Sequence, residues 1–292
     1  MYELIKVTEN TYYIQSPAKI GIMRAGGDQV FLIDSGNDKE AGKKALRHIE
    51  ANGWRLAGII NTHSNADHIG GNAYIASKTG CRIYSPDVEC AFTRHPILEP
   101  SFLFGAYPPS ELRHKFLLAA PSDAEPIEGC PLPDGAEIFD LPGHFFGMIG
   151  LRTPDDVVFL ADCLSSKATL EKYAVSFIYD VKAYLETLEA VKNMRAKLFI
   201  PSHAEPTEDI RELADHNIKK VNEISETIES ICSVPVNFEV LLKKLFDKYS
   251  LSMNFEQYAL VGSTVRSYLA YLKDAGRVGA DICDNMILWR KI

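Results

Sequence analysis

Four apolar, strand-length runs in this chain each lead into a histidine or an aspartate, and this recurrence limits the fold more than any other feature. Gly58-Ile59-Ile60-Asn61-Thr62 runs into His63-Ser64-Asn65-Ala66-Asp67-His68. A run over 137–141 leads to Pro142-Gly143-His144, Phe159-Leu160-Ala161 leads to Asp162, and Phe199-Ile200-Pro201-Ser202 leads to His203. A residue just past a strand end projects in front of the sheet edge, so several such residues can converge on one point. Two imidazoles and a carboxylate within six residues suit zinc or another borderline divalent ion. A histidine on a turn is more often an ordinary surface or cap residue. The setting matters here: of eight histidines, four stand in this position.

The rest of the chain supplies a frame for these turns. Short apolar runs over 4–7, 12–15, 20–24 and 29–33 are separated by turn residues and predict a β-meander. Asp34-Ser35-Gly36-Asn37 ends it and is expected to cap a helix over about 39–52. A helix near His68, a strand over 81–85, strands over 149–153 and 157–160, a helix over 181–195 and a strand over 197–200 follow. Thr207 is the expected N-cap of a helix over 207–231.

Residues 87–133 differ, being interrupted by eight prolines from Pro96 to Pro133 with Pro86 just before them, a pattern that predicts a long irregular insertion. Its aromatics favour an ordered lid, and Phe102, Phe104 and Tyr107 are candidates to line a pocket. Beyond Ser233-Val234-Pro235 the tail reads helix, helix, hairpin. Leu241, Leu242, Leu245 and Phe246 form one apolar stripe, Val265, Leu269 and Leu272 another, and Asp284-Asn285 is a hairpin signal. The expected division is therefore 1–232, with 87–133 as insertion and 207–232 as linking helix, followed by a small unit over 236–292.

Charge and cysteine usage narrow the function. The net charge is -8 with no long run of one sign, so broad attraction to nucleic acid or an anionic membrane is not expected. The tail carries eight basic and six acidic residues, a weak bias for a nucleic-acid reader. None of the six cysteines forms a CxxC pair, and the first residues lack a basic start followed by an apolar run. A reduced, cytoplasmic setting with no membrane contact is the expectation.

The order HxxxDH, PGH, AD, PSH resembles the metallo-β-lactamase superfamily, whose signature is HxHxDH, PGH, a bridging aspartate and a final histidine. The resemblance covers roughly residues 1–206 and implies an α/β fold, an αββα sandwich with metals at one edge. The tail resembles the small winged-helix-like domain of some relatives, and such a chain is often a homodimer. Carried over, His63 and His144 belong to a first metal site. Asp67, His68 and His203 belong to a second, and Asp162 bridges them. Zn2+, one or two ions per chain, is the implied cofactor, with Mn or Fe as alternatives. The implied chemistry is hydrolysis of a small ester, thioester or related bond in a small-molecule substrate by a metal-activated water, with Asp67 orienting that water. The glyoxalase II-like branch is the nearest analogy.

Asn65 departs from the signature. An amide oxygen is a weaker zinc ligand than imidazole. Three readings stay open: a mononuclear enzyme using the second site, a dinuclear enzyme with a weak first site, and a metal-binding protein without catalysis. An RNA- or phosphodiester-cleaving hydrolase is the alternative reaction. Lys167 and Tyr173, which follow the Asp162 strand, are further candidates to reach substrate.

Overall fold

The computed structural model describes residues 2–292. The meander forms as β1 (Glu3–Lys6), β2 (Thr11–Gln15), β3 (Ile20–Gly26) and β4 (Gln29–Ile33), each antiparallel to the next. Helix α1 (Lys39–Ala51) carries the chain to β5 (Arg55–Ile60), which lies parallel to β4. Such a pairing needs a crossover of this kind. Short α2 (Ala66–Ile69) and α3 (Asn72–Thr79) lead to β6 (Arg82–Ser85), and β7 (Glu125–Pro126) completes a seven-stranded sheet in sequential order. The second sheet, in the order β11-β10-β9-β8, contains β8 (Glu137–Asp140), β9 (Ile149–Arg152), β10 (Val157–Phe159) and β11 (Leu198–Ile200).

Why the strands read as unbroken apolar runs is now plain. On β4, Val30 and Leu32 face α1, whereas Phe31 and Ile33 face the second sheet. On β10, Val157 and Phe159 face the first sheet and Val158 faces the helices. Both faces are dry, so no polar alternation survives. The sheets approach so closely at Gly21 that a Cβ there would lie 2.6 Å from the Phe159 ring.

The second sheet is covered by α6 (Lys167–Tyr173), α7 (Val181–Lys192), α8 (Arg211–Ile231), α9 (Phe238–Lys248) and α10 (Phe255–Asp274), with the hairpin β12 (Val278–Cys283) and β13 (Met286–Lys291) at the end. The layers are thus helix, sheet, sheet, helix. Both apolar stripes of the tail are buried, and they share one core with Leu188, Ile224 and Ile228 of α7 and α8. Each such side chain contributes about 1.5–3 kcal/mol of burial, so the tail is held by the body's core. Asp284 and Asn285 both adopt positive φ, as a two-residue hairpin turn requires. Among the described residues no helix is long and apolar enough to cross a membrane.

Three expectations need correction. The insertion over 87–133 is mostly regular, containing α4 (Asp87–Arg94), α5 (Leu98–Phe104), two 3-10 turns and β7. Pro86 and Pro100 stand at the cap and first turn of these helices, where no backbone donor is required. Thr207 does not cap α8, because its backbone is bridged to Phe199 and the helix begins at Arg211. Asp38, not the 34–37 turn, caps α1 by accepting from the Ala41 N–H at 3.0 Å. Asp34 is thereby left for another purpose.

Candidate metal centre

The six ligand-type residues converge at one edge of the sandwich. β8, β10 and β11 run in the same direction, as do β4 and β5, and the loops leaving their C-terminal ends meet. One group is Asp67, His68, Asp162 and His203, and the other is His63, His144 and Asp162, with ligand atoms in each within 4.8 Å of one another. Asp162 belongs to both. Its Oδ1 is 3.1 Å from His68 Nε2, and its Oδ2 is 3.1 Å from His203 Nε2 and 3.8 Å from His144 Nε2. Asp67 Oδ2 lies 3.2 Å from His203 Nε2.

The imidazole orientations are set from behind. His68 Nδ1 donates to Asp34 at 2.8 Å, and His63 Nδ1 donates to Thr62 Oγ1 at 3.1 Å. His203 Nδ1 donates to the Pro17 carbonyl at 3.0 Å and His144 Nδ1 to the Phe177 carbonyl at 3.2 Å. Every Nδ1 is spent on an outer acceptor, so every Nε2 faces the centre and offers its lone pair once deprotonated, the arrangement of metal-binding histidines. Buried His63 Nε2 has no hydrogen-bond partner among the described residues, and His68 Nε2 has none but Asp162 Oδ1 opposite it at 3.1 Å. Buried polar atoms without other partners and aimed at one point call for a cation. The donor set therefore fits a divalent metal.

Gly143 shapes the turn before His144. Its φ is +121°, and a Cβ there would lie 2.3 Å from Tyr184 Cα on α7. Only glycine lets the loop lie against that helix.

Electrostatics divide the centre. Burial works against charge on His203, but Asp162 and Asp67 and the hydrogen bonds to them outweigh it and push the imidazole up to about 10. Burial is likewise outweighed at His68, which Asp162, Asp67 and Asp34 hold well above its ordinary value. His63 and His144 go the other way, lowered by burial and by the charge at His68. Burial opposes ionisation of Asp162, yet His203 and His68 hold its carboxyl well below the usual range. Because the folded His203 value lies above the ordinary 6.5, its contribution to metal-free stability is complete below about pH 6.5 and is lost as pH rises through about 10. At pH 7 an incoming metal must displace that proton. Zinc titration by calorimetry in buffers of different ionisation enthalpy should therefore show release of about one proton or more per chain. No release would show that His203 is neutral before the metal arrives.

Two cavities, of about 380 and 240 Å³, meet at His144 and Asp162. Tyr173 lines the larger beside Phe177, Ser176 and Gln257, while Asn65, Asp67, Glu99 and Phe116 line the smaller. Leu260 of α10 lines both, so the tail forms a wall of the site. The other pocket candidates lie elsewhere. Phe102 packs edge-on against Phe145, Phe146 and Tyr179, and with Phe104 it lines a separate cavity of about 780 Å³ that contains none of the six ligand residues. Tyr107 is 71% exposed and accepts from Arg113. Lys167 pairs with Glu212 on the surface, because the first turn of α6 faces α8 rather than the centre.

Sequence reasoning missed three acids. Asp34 is buried at φ +62° and accepts from Thr62 N and Thr62 Oγ1, both at 2.8 Å, besides His68. Glu89, fully buried, accepts from Ser64 N at 3.0 Å, Ser64 Oγ at 2.5 Å and Gly147 N at 2.6 Å, and so clamps two ligand loops together. Glu99 accepts from Asn65 Nδ2 at 2.9 Å. Burial and then the nearby Asp67 charge raise Glu99 well above the ordinary carboxyl value. An aspartate in an Asp-Ser-Gly turn and two glutamates in a proline-rich stretch carry no motif. Their one signal is acid in an otherwise apolar setting.

Comparison with known proteins agrees with this geometry. A sequence profile of the metallo-beta-lactamase superfamily matches residues 10–203. The chain is 30% identical over 122 residues to a hydroxyacylglutathione hydrolase of Methylococcus capsulatus, covering 41% of this chain and 38% of that protein. It is 29% identical over 140 residues to one from Pseudomonas aeruginosa, covering 45% and 43%. The chain thus spans less than half the length of these curated relatives. The fold is similar to a beta-lactamase domain protein from Burkholderia ambifaria (TM-score 0.74, 16% identity, 99% of this chain and 94% of that one). It is also similar to a metallo-beta-lactamase family protein from Thermus thermophilus (TM-score 0.73, 20% identity, 98% and 100%). With its sandwich, its convergent histidines and aspartates and a family match over most of its length, the chain belongs to the metallo-β-lactamase superfamily.

Proposed function

We propose that the chain is a zinc-dependent hydrolase of a small ester or thioester. The observation that carries this reading is the set of four imidazoles whose Nδ1 atoms are tied from behind while their Nε2 atoms face two carboxylates. When bound, the metal would supply Lewis acidity and lower the pKa of a coordinated water to about 7. His68, His203, Asp67 and Asp162 would hold the ion of the second half-site, and His63 and His144 that of the first. Asp67, one-third exposed toward the smaller cavity, would orient the attacking water and take its proton. The proton then passes to the leaving thiolate or alkoxide as the carbonyl carbon–heteroatom bond breaks. Phe177 and Leu260 line both cavities and would give the acyl group an apolar wall. The curated relatives' name, hydroxyacylglutathione hydrolase, directs the search to thioesters of hydroxy acids.

The alternative, phosphodiester cleavage in RNA, has less support. Arg266 on α10 is engaged over the Phe238 ring at 3.9 Å, and the inner face of that helix is buried. The test measures metal per chain in protein purified without chelator, then turnover on ester, thioester, lactone and phosphodiester panels. Zinc together with chelator-sensitive thioester or ester turnover supports the proposal. Metal without turnover on any panel member overturns it in favour of a metal-binding protein without catalysis.

A further inference from the structure

We propose that Glu99 is a positioning residue that makes Asn65 a metal ligand, so that the first half-site holds an ion despite the missing histidine. Glu99 Oε1 accepts from Asn65 Nδ2 at 2.9 Å. In the structure Glu99 Oε1 takes the amide nitrogen, which turns Oδ1 the other way; an ionised Glu99 holds that orientation because a carboxylate can only accept. That oxygen lies 3.1 Å from His144 Nε2. With Nδ1 donating to the Phe177 carbonyl, His144 offers a lone pair at Nε2, whereas in the other tautomer Nε2–H donates to Asn65 Oδ1. In the first tautomer the two lone pairs facing each other at this distance repel unless a cation lies where both point. His63 Nε2, buried and unpartnered among the described residues, and Asp162 face the same point. The main chain around Asn65 has little freedom to relax, because Glu89 accepts from the Ser64 N–H before it and the Asn65 carbonyl accepts from the His68 and Ile69 N–H groups after it. The reversed amide would turn Nδ2–H onto His144 Nε2 and close the half-site. Both glutamates come from the 87–133 insertion, which therefore completes the metal centre as well as bordering its cavity.

The inference rests on the metal-dependent reading, but its readout is metal affinity, so the two can fail separately. Chelator-stripped full-length chain is titrated with Zn(II) and, in parallel, Co(II), using native mass spectrometry and a competing chromogenic chelator. The native chain is expected to take two ions, the second more weakly, since an amide oxygen is a neutral ligand. Glu99→Leu should weaken that second ion by about 10- to 100-fold while leaving the first within about threefold, the range for outer-shell partners. Glu99→Gln, whose carbonyl still accepts from Asn65, should restore it. The double variant N65D/E99Q reverses the hydrogen bond and leaves a charged oxygen for the metal, so it should bind the second ion more tightly than the native chain. Overturning results are one ion at saturation in the native chain, equal effects of Glu99→Leu on both ions, or no effect on either. If Glu99→Leu does not fold, a double variant no tighter than native overturns the proposal. Two ions with this ranking in a chain that hydrolyses nothing would refute the functional reading and leave the role of Glu99 standing.

Discussion

Asp162→Ala is expected to empty both halves of the metal centre and to abolish chelator-sensitive turnover. Among the described residues it alone is shared by the two ligand groups. Its two oxygens lie within 3.1 to 3.8 Å of three imidazole Nε2 atoms, so the alanine variant removes the one anion that balances cations on either side. His68 and His203 keep their high proton affinity partly through this carboxylate, so they lose a partner as well. Removing an outer-shell partner typically weakens metal binding 10- to 100-fold, and loss of a shared ligand should exceed about 100-fold at each site. The check is metal per chain after desalting, together with the rate on the best substrate of the panel. Retention of a full complement of metal would show that the centre is assembled differently. The fold itself should survive, because Asp162 lies at the sheet edge and the two imidazoles that lose it can shed their protons.

The second large effect is expected at Asp34. This carboxylate is buried and accepts three hydrogen bonds of 2.8 Å, two from Thr62 and one from His68. Asp34→Ala leaves three buried donors without an acceptor and should cost about 3–5 kcal/mol. That corresponds to a fall in melting temperature on the order of 10 °C for a chain of this size. Asp34→Asn separates stability from chemistry. Its oxygen can still accept from Thr62, but its NH2 faces His68 Nδ1 and forces the other tautomer, with a hydrogen on Nε2 where the metal lone pair should be. The asparagine variant should lose less stability than the alanine variant yet bind metal about 10- to 100-fold more weakly. Unchanged zinc affinity in Asp34→Asn would show that the His68 tautomer is not set from behind.

These two positions also mark how much could be read from the sequence. Asp162 was legible because its signal is local: an apolar strand followed at once by a ligand-type residue, repeated at His63, His144 and His203. The β-meander and both apolar stripes of the tail were legible for a similar reason, since periodicity and turn residues lie within a dozen positions of one another. Asp34 was not legible. It stands in a turn that reads as a helix cap, and only contacts with residues 28 and 34 positions later show that it supports the centre. The proline-rich insertion misled in the same way. Prolines that interrupt a sequence pattern can sit in the first turns of helices, and there they do not interrupt the structure.

Pocket residues were the least legible. Phe102, Phe104 and Tyr107 have the right chemistry for a substrate wall. Which way a side chain of an insertion points depends on the element packed beneath it, and here Phe146, Tyr179 and Phe255 occupy that position. The cavities at His144 and Asp162 are lined instead by Phe177 and by Leu260, which lies 98 or more residues from any ligand-type residue except His203.

The sequence by itself determined which donors this protein has and on which strand ends they stand, because a strand end positions its own next few residues. The tertiary structure alone decided which atom each donor presents. Asn65 is the clearest instance. Its amide has an oxygen and a nitrogen of nearly equal size, and the sequence carries no information on which one faces the metal. In the structure a buried glutamate 34 residues away makes that choice by accepting from the amide nitrogen.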